Sequence, residues 1–111
     1  MSHNVIERGD IYWVNLDPTL GSEIKKQRPC VIVSATPINQ ARHTVVVVPL
    51  SISATIRPPL VLSVQCLGKQ VYAVCDQIRA IDKNRMVKYV GALSAHDLVV
   101  LEDGLRHVLA L

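Results

Sequence analysis

Residues Thr44 to Ile52 read TVVVVPLSI, and four successive valines in one run weigh heavily on what this chain can become. A β-branched side chain is stiff at χ1, loses freedom in a helix and packs well on a pleated surface. The same bias runs through all 111 residues: 17 Val and 9 Ile stand against 12 Leu, with no Phe, one Trp and three Tyr, although 50% of residues are hydrophobic. The core is therefore aliphatic and mostly β. A chain of this length makes one compact domain, buries roughly two-thirds of its unfolded surface and needs no disulfide or structural metal to fold. A second enzymatic domain is excluded. Charged residues are 19% of the chain and mean hydropathy is +0.28, so some apolar surface is expected in a subunit interface.

Four more strand-like segments accompany that run. They are Asp10 to Leu16, Pro29 to Ala35, Leu60 to Cys66, which alternates as LVLSVQC, and Val71 to Ile78, bounded by turn formers or polar residues such as Pro58, Pro59, Gly68 and Lys69. Ile81 to Arg85 suits a single helical turn, and Met86 to Gly91 a further short strand. The clearest helix comes last. Ser94 is a good N-cap, Asp97 favours the positive helix end, and Leu98, Leu101, Leu105, Val108 and Leu109 recur on one face. Gly104 interrupts it at a cost of about 1 kcal/mol relative to Ala, which packing can tolerate. Strands followed by one amphipathic helix predict a small barrel with a helix packed on it.

Several function classes drop out. The longest apolar run, Val45 to Leu50, is far short of the roughly 20 residues of a membrane-spanning helix, and MSHNVIERGD lacks the pattern of a secretory signal. A cytoplasmic location is expected. Cys30, Cys66 and Cys75 form neither a disulfide framework nor a CxxC pair and are expected to be core thiols. The net charge of +3 is too small to demand a polyanion, but its distribution says more. Lys25, Lys26 and Arg28 crowd one loop, Arg79, Lys83, Arg85 and Lys88 a second segment, and the terminal helix is acidic. A basic face opposite an acidic helix suits nucleic acid. Twelve residues separate Leu16 from Pro29, more than a plain hairpin uses, which marks a functional loop. Pro29 holds its predecessor extended, so Arg28 is expected at the root of a strand rather than on the loop tip.

RGDIYWVNLDPTLGSE at Arg8 to Glu23, RPCVIVS at Arg28 to Ser34, VVVVPLS at Val45 to Ser51 and CDQIRAIDKNR at Cys75 to Arg85 follow in order along the chain. With the capped helix, they resemble the MazF, PemK and Kid toxins of bacterial toxin–antitoxin systems over almost the whole length. The resemblance implies one toxin domain over residues 1–111, a small SH3-like β-barrel of the MazF/CcdB type with a C-terminal helix, and a homodimer. It also implies metal- and cofactor-free cleavage of single-stranded RNA and silencing by an antitoxin. Such cleavage uses the 2′-hydroxyl as nucleophile and leaves 2′,3′-cyclic phosphate and 5′-hydroxyl ends, so the protein has to ease proton transfer and stabilise the phosphorane.

By the same resemblance Arg28 matches the principal catalytic arginine, with Ser51 where relatives usually carry Thr and Glu23 where they carry Glu. A guanidinium with pKa above about 12 is a poor proton carrier but a good fork for two phosphate oxygens. Pairing of Arg28 with Glu23 at the surface is the alternative. Glu23 would orient Arg28 or take the 2′-hydroxyl proton. Lys25, Lys26 and Arg57 are expected RNA contacts, together with Gln27, which stands where some MazF proteins carry His. Asp76 matches an acid of the Kid branch, whose paired Arg is replaced here by Val74. His43, His96 and His107 are read as structural or surface residues. The antitoxin is expected to be an acidic, partly disordered segment lying in the RNA groove, with apolar anchors. Competing readings are a CcdB-like gyrase poison, although the RHVLAL ending lacks Trp-Gly-Ile, and a non-catalytic binding module.

Overall fold

The computed structural model describes residues 5–111, so the first four residues of the amino-terminal stretch considered above lie outside it. Seven strands and two helices follow in the order β1 (Asp10–Asn15), β2 (Gln27–Ile32), α1 (Thr36–Ala41), β3 (Thr44–Ser51), β4 (Val61–Cys66), β5 (Lys69–Val74), β6 (Arg79–Asp82), β7 (Met86–Ala92) and α2 (Ala95–Leu109). All pairings are antiparallel, and the path runs β4-β5-β3-β2-β1-β7 with β6 branching from β3.

The valine run explains that branch. The first half of β3 pairs with β6, from Thr44–Asp82 to Val47–Arg79, and its last two residues pair with β5 at Leu50–Ala73 and Ser51–Tyr72. Pro49, which has no N–H to donate, stands where the ladder changes partner, a position a strand can give to proline. One strand thereby serves two sheets, which bend towards each other into an open half-barrel. Its two ends come close: Leu67, in the β4–β5 turn, lies 3.5 Å from where a Cβ on Gly91 of β7 would stand.

Both faces of the sheet are covered, as the alternation along β1 and β3 requires. Ile11, Val31, Val48, Leu50, Val64, Ala73 and Cys75 pack inside the half-barrel with Leu101 and Leu105 of α2. Tyr12, Val14, Leu16, Cys30, Ile32, Val45, Val47 and Ile81 form a second cluster on the other face. The cysteines are buried and unbridged, as expected of core thiols.

Helix α2 keeps its predicted cap, with Ser94 Oγ accepting from Asp97 N at 3.1 Å. The Asp97 carboxylate accepts from Gln65 N of β4 at 2.8 Å and so ties the helix start to the sheet. Leu98, Leu101, Leu105 and Val108 face the core, but Leu109, expected with them, is exposed. Gly104 is explained by close approach: a Cβ there would stand 2.4 Å from Leu62 Cδ1 and 3.5 Å from Cys75 Sγ.

Two sequence expectations need correction. The segment Val71 to Ile78 is not one strand, because a 3-10 turn at Cys75–Gln77 ends β5 and redirects the chain into β6, and the helical turn expected over Ile81 to Arg85 covers only Lys83–Arg85, because Ile81 and Asp82 pair with β3 as part of β6. Residues 36–41, which belong to none of the segments expected from the sequence, form the short α1 with proline in its first turn, and Asn39 on it is 1% exposed. The Asn39 side chain donates to Ile6 O (3.2 Å) and Ser34 O (3.0 Å) and accepts from Ser34 Oγ, whose oxygen in turn accepts from Val46 N at 3.0 Å.

The buried acids give a pH prediction. Burial pushes the Cys30 thiol from its ordinary 9.0 up to about 12 and Cys75 to about 11, and burial together with the Asp10 charge pushes Tyr12 from 10.0 to about 12. Each group binds its proton more tightly in the folded state. Their stabilisation is thus complete below the unfolded values and is lost as pH rises through the folded ones. Melting temperature should hold up to about pH 8 and fall steadily between 9.0 and about 11. A flat profile over that window would contradict the burial of these groups.

Candidate active site

The β2–β3 register builds the site. Two residues beyond the Cys30–Pro49 pair, β2 reaches Arg28 and β3 reaches Ser51, so the ends of two adjacent strands bring them together. Both line a cavity of about 490 Å3 at the open mouth of the half-barrel, shared with Gln27, Trp13, Pro29, Leu50, Cys66, Leu67, Lys69 and Val90 among others. That volume lies within the usual range of small-ligand sites.

Arg28 sits on the strand as its proline neighbour requires, opposite Val14 of β1. Its guanidinium is exposed, and its one hydrogen bond among the described residues goes from Nη1 to Gln27 O at 3.3 Å. The fork therefore has most of its donors available for an anion. Ser51 is different. Its Oγ accepts from Ser53 N and from Ala54 N, each at 3.2 Å, which occupies both lone pairs. What remains is the O–H, so Ser51 is set up to donate and poorly placed to take a proton.

Glu23 is elsewhere. Its carboxylate accepts from Leu20 N at 2.5 Å within the β1–β2 loop, and it lines a second cavity of about 290 Å3 with Ser22, Asp76, Gln77 and Arg79. Among the described residues no ion pair joins Arg28 to Glu23. Thus Arg28, Gln27 and Ser51 share one cavity, while Glu23 and Asp76 share another. Lys25 and Lys26 are exposed on the loop before β2, and Arg57 is exposed at an isolated bridge with Val61. His43, His96 and His107 are at the surface.

Three residues that hold the loop were not singled out for that role by the sequence. Gln77 accepts from Ile24 N at 2.6 Å and donates to Ser22 O at 3.4 Å. Arg79 donates to Leu16 O at 3.5 Å, and Arg85 donates to Asn15 O at 3.2 Å and to Asp17 O. Two of the four basic residues counted into a basic patch therefore clasp backbone carbonyls at the loop's root. Only side chains that reach back across 53 to 70 residues could reveal this. Among the described residues no group of three or more His, Cys, Asp or Glu side chains converges on a metal position.

Fold and cavity define a small antiparallel half-barrel with a helix at its end, holding an available guanidinium beside a hydroxyl donor. A family model for the PemK-like, MazF-like toxin of type II toxin–antitoxin systems matches residues 7–109, and the chain belongs to this family. It is 37% identical over 111 residues to the endoribonuclease MazF9 of Mycobacterium tuberculosis, covering 92% of this chain and 94% of that one. It is 34% identical over 82 residues to the endoribonuclease toxin MazF of Escherichia coli, covering 73% and 72%. Among solved structures, MazF of Deinococcus radiodurans superposes with a TM-score of 0.87 at 22% identity, covering 98% of this chain and all of that one. A mycobacterial endoribonuclease in complex with its cognate antitoxin superposes with a TM-score of 0.79 at 22% identity, covering 95% of each. These two establish the half-barrel as the family's fold.

Proposed function

We propose that the chain is a single toxin domain that cuts single-stranded RNA through the neighbouring 2′-hydroxyl and is neutralised by an antitoxin. The observation that supports this most is Arg28 and Ser51 at the ends of adjacent strands, lining one cavity, in a chain whose relatives are named endoribonucleases. In the step itself O2′ attacks phosphorus and gives up its proton to solvent, the P–O5′ bond breaks, and O5′ takes a proton from solvent, so that a 2′,3′-cyclic phosphate and a 5′-hydroxyl result. Arg28 holds two non-bridging oxygens as negative charge grows on them, and the Ser51 O–H donates to a third acceptor of the same phosphate. Neither has to carry the transferred proton. Glu23, in the other cavity, serves this reading as a brace of the loop. Lys25, Lys26 and Arg57 meet the RNA backbone further out, and Gln27 lies beside the scissile group.

The antitoxin reading is supported by the family and by the relative solved in complex with its cognate antitoxin. An acidic segment competes for the same cations, and the apolar lining of the cavity offers seats for its anchors. Val99, Leu109 and Leu111 are large apolar side chains left exposed, which supports a homodimer. No described helix is long and apolar enough to cross a membrane. A cytoplasmic location is part of this reading, because an mRNA substrate is found there.

Purified protein incubated with RNA in EDTA tests the reaction. Fragments ending in 2′,3′-cyclic phosphate and 5′-hydroxyl are expected. Supercoiling inhibition with no RNA cut would instead establish a gyrase poison, and neither activity would leave a binding module.

A further inference from the structure

The β4–β5 hairpin turns on Leu67 and Gly68, with φ of 52° and 77°. Two successive positive φ values make a type I′ turn, whose favoured pair is Asn-Gly. Gly68 fits. Leucine does not, because its Cβ crowds the backbone in the left-handed region, and the side chain gains no burial in return, being 74% exposed. Apart from its tip, which approaches Gly91 of β7, Leu67 is left in solvent at the lip of the cavity that holds Arg28 and Ser51.

The opposite lip carries a matching irregularity. Ile11 pairs with Gly91 and Tyr12 with Tyr89, so the β1–β7 ladder skips Val90, and this bulged residue lines the same cavity. Trp13, the one tryptophan of the chain, lines it from β1. Lys69 adds a cation beside Leu67. Apolar walls thus continue directly from the anion-binding groups, an arrangement that fits a nucleotide: phosphate on the cations, base between the apolar side chains.

We propose that Leu67 is a specificity residue, forming with Trp13 and Val90 a slot that seats one unstacked nucleobase of the RNA next to the phosphate held by Arg28 and Ser51. The inference rests on the RNA-cutting reading above. It assigns base selection to the short hairpin and its awkward leucine, separately from the groups that act on phosphorus.

Leu67→Asn is the informative variant because it improves the turn while removing the apolar wall, so melting should be unchanged or raised. RNA cleavage by Leu67→Asn should show kcat/KM lowered about tenfold, chiefly through KM, with an altered distribution of cut sites, as expected for one base contact. Leu67→Met should stay close to wild type. Independently of cleavage, Trp13 fluorescence should be quenched by an uncleavable 2′-O-methyl oligonucleotide, about tenfold less tightly in Leu67→Asn, and not by the oligonucleotide made abasic throughout. A wild type that cuts no RNA but shows this Leu67-dependent quenching would overturn the nuclease reading and keep the base seat. Cleavage, cut sites and quenching all within twofold of wild type in Leu67→Asn, or Leu67→Met failing as badly as Asn, would overturn the seat.

Discussion

Arg28→Ala should slow single-turnover RNA cleavage about a hundredfold and leave the melting curve where it is, the charge-assisted contact at the transition state being worth about 3 kcal/mol. The two halves of this result have separate origins. Stability is spared because the guanidinium is exposed and bound only to Gln27 O among the described residues. Rate is lost because a planar fork on two phosphate oxygens has no substitute in the cavity, and Arg28→Lys, which returns a point charge without the fork, should recover only part of it. Ser51→Ala removes a donor but also the acceptor for Ser53 N and Ala54 N, whereas Ser51→Thr keeps both. Cleavage by Arg28→Ala within threefold of wild type would take Arg28 out of the mechanism.

The second large effect concerns the fold. Asn39→Ala strands the carbonyls of Ile6 and Ser34 and the Ser34 hydroxyl in a buried place, and should cost about 3 kcal/mol. For a domain of this size that lowers the melting temperature by roughly 10 °C. The loss is read from urea or thermal unfolding, and a shift below about 2 °C would show that water replaces the side chain without penalty. Asn39→Asp is the sharper control, since it keeps the shape and the acceptor but turns the donor towards two carbonyls into a second acceptor.

The contrast between these residues shows what the sequence made legible. Arg28 could be placed from Pro29 alone, because the restriction a proline puts on its predecessor is local. The strands and the capped helix were equally local, carried by β-branched runs and by Ser94, Asp97 and the leucine repeat. Asn39 was invisible, since six residues are too few to show a helical period and its partners come from Ile6 and Ser34. The break at Cys75–Gln77 was hidden for a related reason: the apolar run VYAVC leads straight into it, and only the exchange of β5 for β6 beside β3 cuts the strand. Arg28 with Ser51 emerged as a pair through resemblance and is explained by register. The separation of Glu23 from them depends on the Gln77 clasp and the Leu20 amide, which no spacing along the chain encodes.

That clasp divides the β1–β2 loop into a root and a tip. Arg79 and Arg85 grip its first residues, Gln77 grips its middle at Ser22 and Ile24, and Arg28 already belongs to the sheet. At the tip Glu23 still holds the Leu20 amide and Gly21 stands at a φ of 58°, so the freedom left there is in the side chains of Thr19 and Leu20, which can change without displacing the guanidinium. Ordinary mutation can therefore vary the outer surface of this loop while the guanidinium and the strand that carries it are inherited unchanged.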